Sequence, residues 1–163
     1  MSASPRELSA VDGLVQLSFL VEGTLARRAA EHDVSLVQTR LLGILRDREP
    51  TMHELAKLLE LDKSSVTGLV DRGERRGLVK RVSSTEDRRV VRIVLTEEGR
   101  SLVSQVAARF EGDVSLMLDR LQRSDRDALS SLISRLLVAH ATAQGVDLFA
   151  TIGSETSGGK ERP

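Results

Sequence analysis

At 163 residues the chain is long enough for one compact domain and too short for a large multidomain enzyme. A 40% hydrophobic and 29% charged composition is that of a globular protein, and 2% aromatics (three Phe, no Trp, no Tyr) argue against stacking platforms for single-stranded nucleic acid and against aromatic sugar or base pockets. The absence of Cys excludes disulfides, thiolate nucleophiles, cysteine redox sensing and thiolate zinc sites, as suits a reducing cytoplasm.

Charge is balanced overall, with 24 Lys+Arg against 24 Asp+Glu, but it is unevenly placed. Between Asp62 and Arg92 stand nine basic residues (Lys63, Arg72, Arg75, Arg76, Lys80, Arg81, Arg88, Arg89, Arg92) and five acidic ones (Asp62, Asp71, Glu74, Glu86, Asp87), a local balance of +4 against −4 elsewhere. Such asymmetry suits one face meant for phosphate and a remainder that limits indiscriminate binding. No stretch approaches the ~18 apolar residues of a membrane span, and Pro5 and Glu7 break the order of a signal peptide, so the cytoplasm is the expected compartment.

The pattern from Leu8 to Glu31 predicts an amphipathic helix, with Val11, Leu14, Val15, Val21 and Leu25 at three- and four-residue spacing. Leu17, Phe19 and Leu20 widen its apolar stripe beyond what one chain needs. A second helix is expected over Ser35 to Asp47, with Pro50 closing the connection. Thr51-Met52-His53-Glu54 is a capping box that opens a short helix ending near Glu60. Asp62 then caps a further helix to about Arg76, stopped by Gly77. Two short helices across a tight turn outline a helix-turn-helix.

After Gly77 the period changes, and Leu78–Val82 and Val90–Leu95 read as a hairpin whose polar connection, Ser83 to Arg89, is charged. Thr96 opens a long helix whose Val103, Ala107, Phe110, Val114, Met117 and Leu121 form a heptad-like seam, and Leu129, Leu132, Leu136 and His140 mark a last helix ending near Gly145. The Gly- and Ser-rich end from Gly153 reads as a solvated terminus. The fold class is therefore mainly α with a small β-hairpin (α+β). Its units are an N-terminal dimerisation helix (1–34), a winged helix-turn-helix (35–95), C-terminal dimerisation helices (96–145) and a flexible tail (146–163).

In a helix-turn-helix the second helix presents its first residues to base edges in the major groove. With Val66, Leu69, Val70 and Gly73 turned inward, Lys63, Ser64, Ser65, Thr67, Gly68, Asp71 and Arg72 face out. Hydroxyls can reach bases or phosphates, and Lys63 can take a phosphate or a guanine; the competing reading is that Ser64, Ser65 and Thr67 are ordinary helix-start residues with solvated hydroxyls. An Arg at a hairpin tip can enter a narrow minor groove, which makes Arg89 the foremost contact candidate and gives Arg88 to a phosphate; the competing reading, favoured for a random loop, is a pair of solvated loop charges. Asp87, which DNA would repel, is expected to orient the wing by pairing with an Arg such as Arg72.

Leu69-Val70-Asp71-Arg72-Gly73-Glu74-Arg75-Arg76-Gly77-Leu78-Val79-Lys80-Arg81 and Glu86-Asp87-Arg88-Arg89, followed by Leu95-Thr96-Glu97-Glu98-Gly99, resemble the MarR (multiple antibiotic resistance regulator) family of winged-helix transcription factors. The resemblance spans about residues 8 to 145. It implies a homodimer with intertwined terminal helices on a pseudo-palindromic double-stranded DNA operator, acting as a repressor in the commoner mode. Two positions depart from the pattern: Gly68 stands where many members carry a larger outward residue, and Gly73 replaces an inner Leu, a gap that the stems of Arg75 and Arg76 are expected to cover.

Many relatives sense small aromatic or anionic effectors between the winged domain and the dimerisation helices. No ligand-binding residue is assigned here; Arg27, Arg28, His32, Gln38 and Arg40 project toward that region, and ion pairing is the expected role of Arg27, Arg28 and Arg40. His32, His53 and His140 are far apart without an HxxxH pair, so neither a metal nor a cofactor is expected. No phosphate-binding glycine loop, nucleophile elbow or His–carboxylate set marks an enzyme. The alternatives are a winged-helix protein-interaction module without DNA binding and the dimerisation part of an enzyme.

Overall fold

The computed structural model describes residues 8–83 and 90–144, which form six helices and one two-stranded antiparallel sheet. In chain order these are α1 (Ala10–Ala30), α2 (Leu36–Asp47), α3 (Met52–Leu59), α4 (Lys63–Arg75), β1 (Val79–Ser83), β2 (Val91–Leu95), α5 (Glu97–Leu118) and α6 (Arg123–Gln144). Asp87, Arg88 and Arg89, together with the tail 146–163, lie outside the described residues.

Side-chain caps set the helix starts. Ser35 with Gln38 and Thr51 with Glu54 form full capping boxes, while Asp62 and Thr96 accept from the first free N–H groups of α4 and α5. Each cap contributes about 1 kcal/mol to a helix too short to persist alone. The α3–α4 turn runs through Glu60, a left-handed C-cap at φ 54°, and α4 ends at Gly77, φ 67°, where an L side chain would be strained.

The core sits inside the winged head. Leu41 and Leu45 of α2, Leu55 and Leu59 of α3, Val66, Leu69 and Val70 of α4, and Val79, Ile93 and Leu95 of the hairpin pack into one cluster. Each such side chain stabilises the fold by about 1.5–3 kcal/mol on burial, which is what holds α4 in place. Leu102 and Val103 of α5 join this cluster. The long-helix seam therefore divides: its first turns pack on their own chain, Val114 and Met117 are half-buried, and Leu121, past the end of α5, is exposed.

Gly73 and Gly99 are required by close approaches. A Cβ on Gly73 would lie 2.8 Å from Cγ2 of Val79, and one on Gly99 would lie 2.0 Å from the Leu78 carbonyl oxygen. The space left by the inner Leu missing at position 73 is thus filled by Val79 from β1, and not by Arg75 and Arg76 as the sequence suggested. Those arginines instead donate to backbone carbonyls: Arg75 to Asp71, and Arg76 to His32 and Asp33.

Two apolar surfaces remain uncovered. Leu14, Val15 and Phe19 on the first half of α1 are exposed, Phe19 to 64%, and so are Leu132, Ile133, Leu136 and Leu137 on α6. Among the described residues of α6 only Ala141 is buried. No helix among the described residues is long and apolar enough to cross a membrane.

Candidate nucleic-acid interface

Helix α4 is amphipathic in the sense the sequence predicts. Val66, Leu69, Val70 and Gly73 are buried, while Lys63, Ser64, Ser65 and Arg72 are exposed and Thr67 is half-buried. Its first turn is tightly organised: Asp62 accepts from the Ser64 and Ser65 N–H groups, each at 2.9 Å, and both seryl hydroxyls donate to the same carboxylate. The Thr67 hydroxyl donates to the Lys63 carbonyl at 2.8 Å. In this arrangement the three hydroxyls spend their protons locally and offer lone pairs outward, which suits acceptance from base amino groups more than donation to phosphate. The hydroxyl and amide donors of Ser64 and Ser65 hold the Asp62 carboxyl well below the usual carboxylate range.

Lys63 and Arg72 make no ion pair with the described residues. The Arg72 guanidinium lies across Gly68, 3.4 Å from where a Cβ would stand, so the small residue leaves room for it. Ser64, Ser65, Gly68 and Arg72 border an open recess of about 470 Å³ that Ser35 and Val37 of α2 close on the other side. Nine positions along the helix separate Lys63 from Arg72, about 13.5 Å at the helical rise. These are about 2.5 turns, so the two cations flank the exposed face on opposite edges, Lys63 toward α3 and Arg72 toward α2.

A second recess, about 410 Å³, brings His53 and Thr51 at the start of α3 together with Lys63 and with Val90 and Val91 at the wing root. The sequence reading weighed His53 only as a metal ligand. Its place two residues after a capping Thr, in the first turn of the bracing helix, was the available signal for an interface role. His32 lies in the turn between α1 and α2, His53 on α3 and His140 on α6, and no cluster of three metal-ligating side chains forms among the described residues.

The hairpin is registered Val79↔Leu95 through Ser83↔Val91, which fixes the root of the wing. Its anchor to the helix is Arg81, whose guanidinium donates to Asp71 at 2.7 Å and to Glu74, while Glu74 also accepts the Arg81 N–H at 3.0 Å. The two carboxylates raise the pKa of Arg81 further, the Asp71 hydrogen bond being the larger cause. Thus three charged positions of one sequence motif, Asp71, Glu74 and Arg81, form a clasp that the sequence reading did not identify. Thr96 closes the other side, donating through Oγ1 to the Gly77 carbonyl at 2.6 Å while capping Gly99 N–H.

Between the head and the long helices lies a cavity of about 310 Å³ with an apolar floor of Leu25, Leu42, Leu102, Val106, Ala107 and Phe110 and with Arg40, Arg46 and Glu111 at its polar edge. Of the side chains projected toward this region from the sequence, only Arg40 lines it. Arg28 instead forms a bidentate pair with Asp113, 2.7 Å on both arms, and a third bond to Glu31 at 2.6 Å; Arg109 reaches Glu31 at 3.0 Å. Hydrogen bonds from Arg28 hold the Asp113 and Glu31 carboxyls below their ordinary range. Arg27 donates to the Thr24 hydroxyl.

The MarR family profile matches residues 32–90, which covers α2 to β1 and ends just before β2. The Bacillus subtilis helix-turn-helix transcriptional regulator YhbI is 31% identical over 105 residues, 64% of this chain and 68% of that protein. PecS of Dickeya dadantii is 25% identical over 127 residues, 76% of each chain. Among solved structures, apo MarR from E. coli superposes with a TM-score of 0.68 at 22% identity over 81% of this chain and 99% of its own, and a MepR–DNA complex from S. aureus with 0.64 at 20% over 82% and 99%. Profile, relatives and fold agree with the motif resemblance, and the chain belongs to the MarR family of winged-helix transcriptional regulators, not to a class of enzymes.

Proposed function

We propose that this protein is a cytoplasmic, homodimeric repressor that binds a pseudo-palindromic double-stranded DNA operator and is released by a small aromatic or anionic effector. The observation that carries the reading is α4: its inner face is locked in the core, and its broad outer face offers Ser64, Ser65, Thr67 and Arg72, with Lys63 at the edge toward α3. Arg88 and Arg89 extend this face into the wing, with Asp87 orienting it, as the family motif implies. The MepR–DNA complex among the structural neighbours supports the same use of the fold.

Dimerisation is supported by the two uncovered apolar faces, on the first half of α1 and along α6, which give residues 1–34 and 96–145 their role around the head at 35–95. Effector release is supported by the cavity between α1, α2 and α5, whose volume and apolar floor fit a small ring and whose Arg40 fits an anionic group, Arg46 being paired with Asp47. Selection from a random duplex pool followed by a gel shift tests the reading. The expected outcome is enrichment of an inverted repeat whose half-sites lie about one helical turn, 10 bp, apart. Recovery of no duplex would instead favour a protein-interaction module.

A further inference from the structure

Arg76, the residue that closes α4, reaches across 43 residues of chain to the turn between α1 and α2. Its Nη1 donates to the Asp33 carbonyl at 2.6 Å and its Nη2 to the His32 carbonyl at 2.9 Å. Two parallel N–H groups meeting two successive carbonyls is a match that a planar guanidinium makes and a lysine ammonium does not. The carbonyls lie in the turn just past the C-terminal end of α1, near the end of the helix dipole that favours a cation. Asp33 is held there at φ 55°, a conformation that L side chains seldom adopt outside a fixed context.

The same turn is gripped from the opposite side. Glu31 takes Arg28 and Arg109, and Arg28 takes Asp113 of α5, so the end of α1 is tied to the long helix by ions and to α4 by Arg76. The last turn of α1 is thus the junction at which the helix that reads DNA meets the helices that set the dimer.

We propose that Arg76 is a positioning residue: its clamp on the His32 and Asp33 carbonyls sets the angle of α4 against α1 and α5, and thereby the half-site spacing the dimer accepts. This rests on the dimeric DNA-binding reading above. Because Arg76 is exposed and outside the core, its loss leaves the head folded and packed on α1 and α5 while removing the clamp that fixes their angle.

The test uses the full chain, wild type, Arg76→Ala and Arg76→Lys, titrated onto the duplex selected from a random pool, onto the same duplex with one or two base pairs added or removed at its centre, and onto an isolated half-site. The wild type is expected to discriminate sharply against altered spacing. In Arg76→Ala that discrimination shrinks at least about fivefold, the lower end of coupling between linked sites, while half-site affinity is kept; Arg76→Lys, with one bond in place of two, falls between. A wild-type spacing profile in Arg76→Ala, or equal losses on half-site and full site, overturns the inference. If Arg76→Ala does not fold, the Arg76→Lys profile decides by the same criterion. A wild type that selects no duplex overturns the functional reading and the inference with it, whereas unchanged spacing discrimination in the variants overturns the inference alone.

Discussion

Gly99 shows how a single residue joins the wing to the long helix. The Leu78 carbonyl occupies the place a Cβ would need and is held there by the Thr96 N–H at 3.1 Å, so neither neighbour can retreat without losing a backbone bond. Gly99→Ala is expected to destabilise the fold by about 3 kcal/mol or more, at the upper end of overpacking, despite the gain in helix propensity. Urea unfolding measures it, and a neutral or stabilised variant would contradict the packing described. Asp62 makes a pH-dependent contribution. Its folded pKa is depressed below the unfolded value of about 3.9, so the stability it lends is fully present above about pH 4 and fades as pH falls toward the folded value. Asp62→Asn keeps an N-cap without the charge. The advantage of the wild type over this variant in urea midpoint is expected to hold from pH 7 to 5 and to narrow below pH 4; a constant gap across that range would show that the charge contributes nothing.

At the scale of elements, the local devices were legible and the long-range ones were not. Thr51, Asp62 and Thr96 declare helix starts through their own hydrogen-bonding chemistry, and Gly77 declares a stop through its left-handed φ; each is a matter of four or five adjacent residues. The Arg81 clasp, the Arg76 clamp and the Arg28–Asp113 pair join residues that are respectively 10, 43 and 85 positions apart, and no periodicity specifies such partners. Gly73 reads from sequence as a missing apolar contact, and only the strand across from it reveals that Val79 fills the space. The long-helix seam was legible as apolar, but its division between own-chain packing and an open surface was not. That division decides where to test dimerisation: Phe110 lines the cavity of its own chain, whereas Leu136 on α6 is 53% exposed and unneeded by the core. Leu136→Asp is therefore expected to convert a dimer to a monomer in sedimentation velocity with the head still folded. A variant with the wild-type sedimentation coefficient would place the dimer contact elsewhere.

On the scale of the whole molecule, charge and shape act together. The segment from Asp62 to Arg92 carries +4 and the rest −4, so the proposed attraction to phosphate falls on that segment. Arg81 is held in the clasp and Arg76 on the turn, which leaves Lys63, Arg72 and Arg75 as the described cations on α4, with His53 beside Lys63. The most direct measurement is an anisotropy titration of wild type and Arg72→Ala at several salt concentrations, on the selected duplex and on random duplex. For the wild type, an affinity for the selected duplex at least about a thousandfold above random is predicted. Arg72→Ala should lower the steepness of the salt dependence by about 1.8, two phosphates per dimer at about 0.9 each. Equal wild-type affinity for both duplexes, or a salt slope untouched by Arg72→Ala, would contradict the assignment of α4 as the DNA-reading helix.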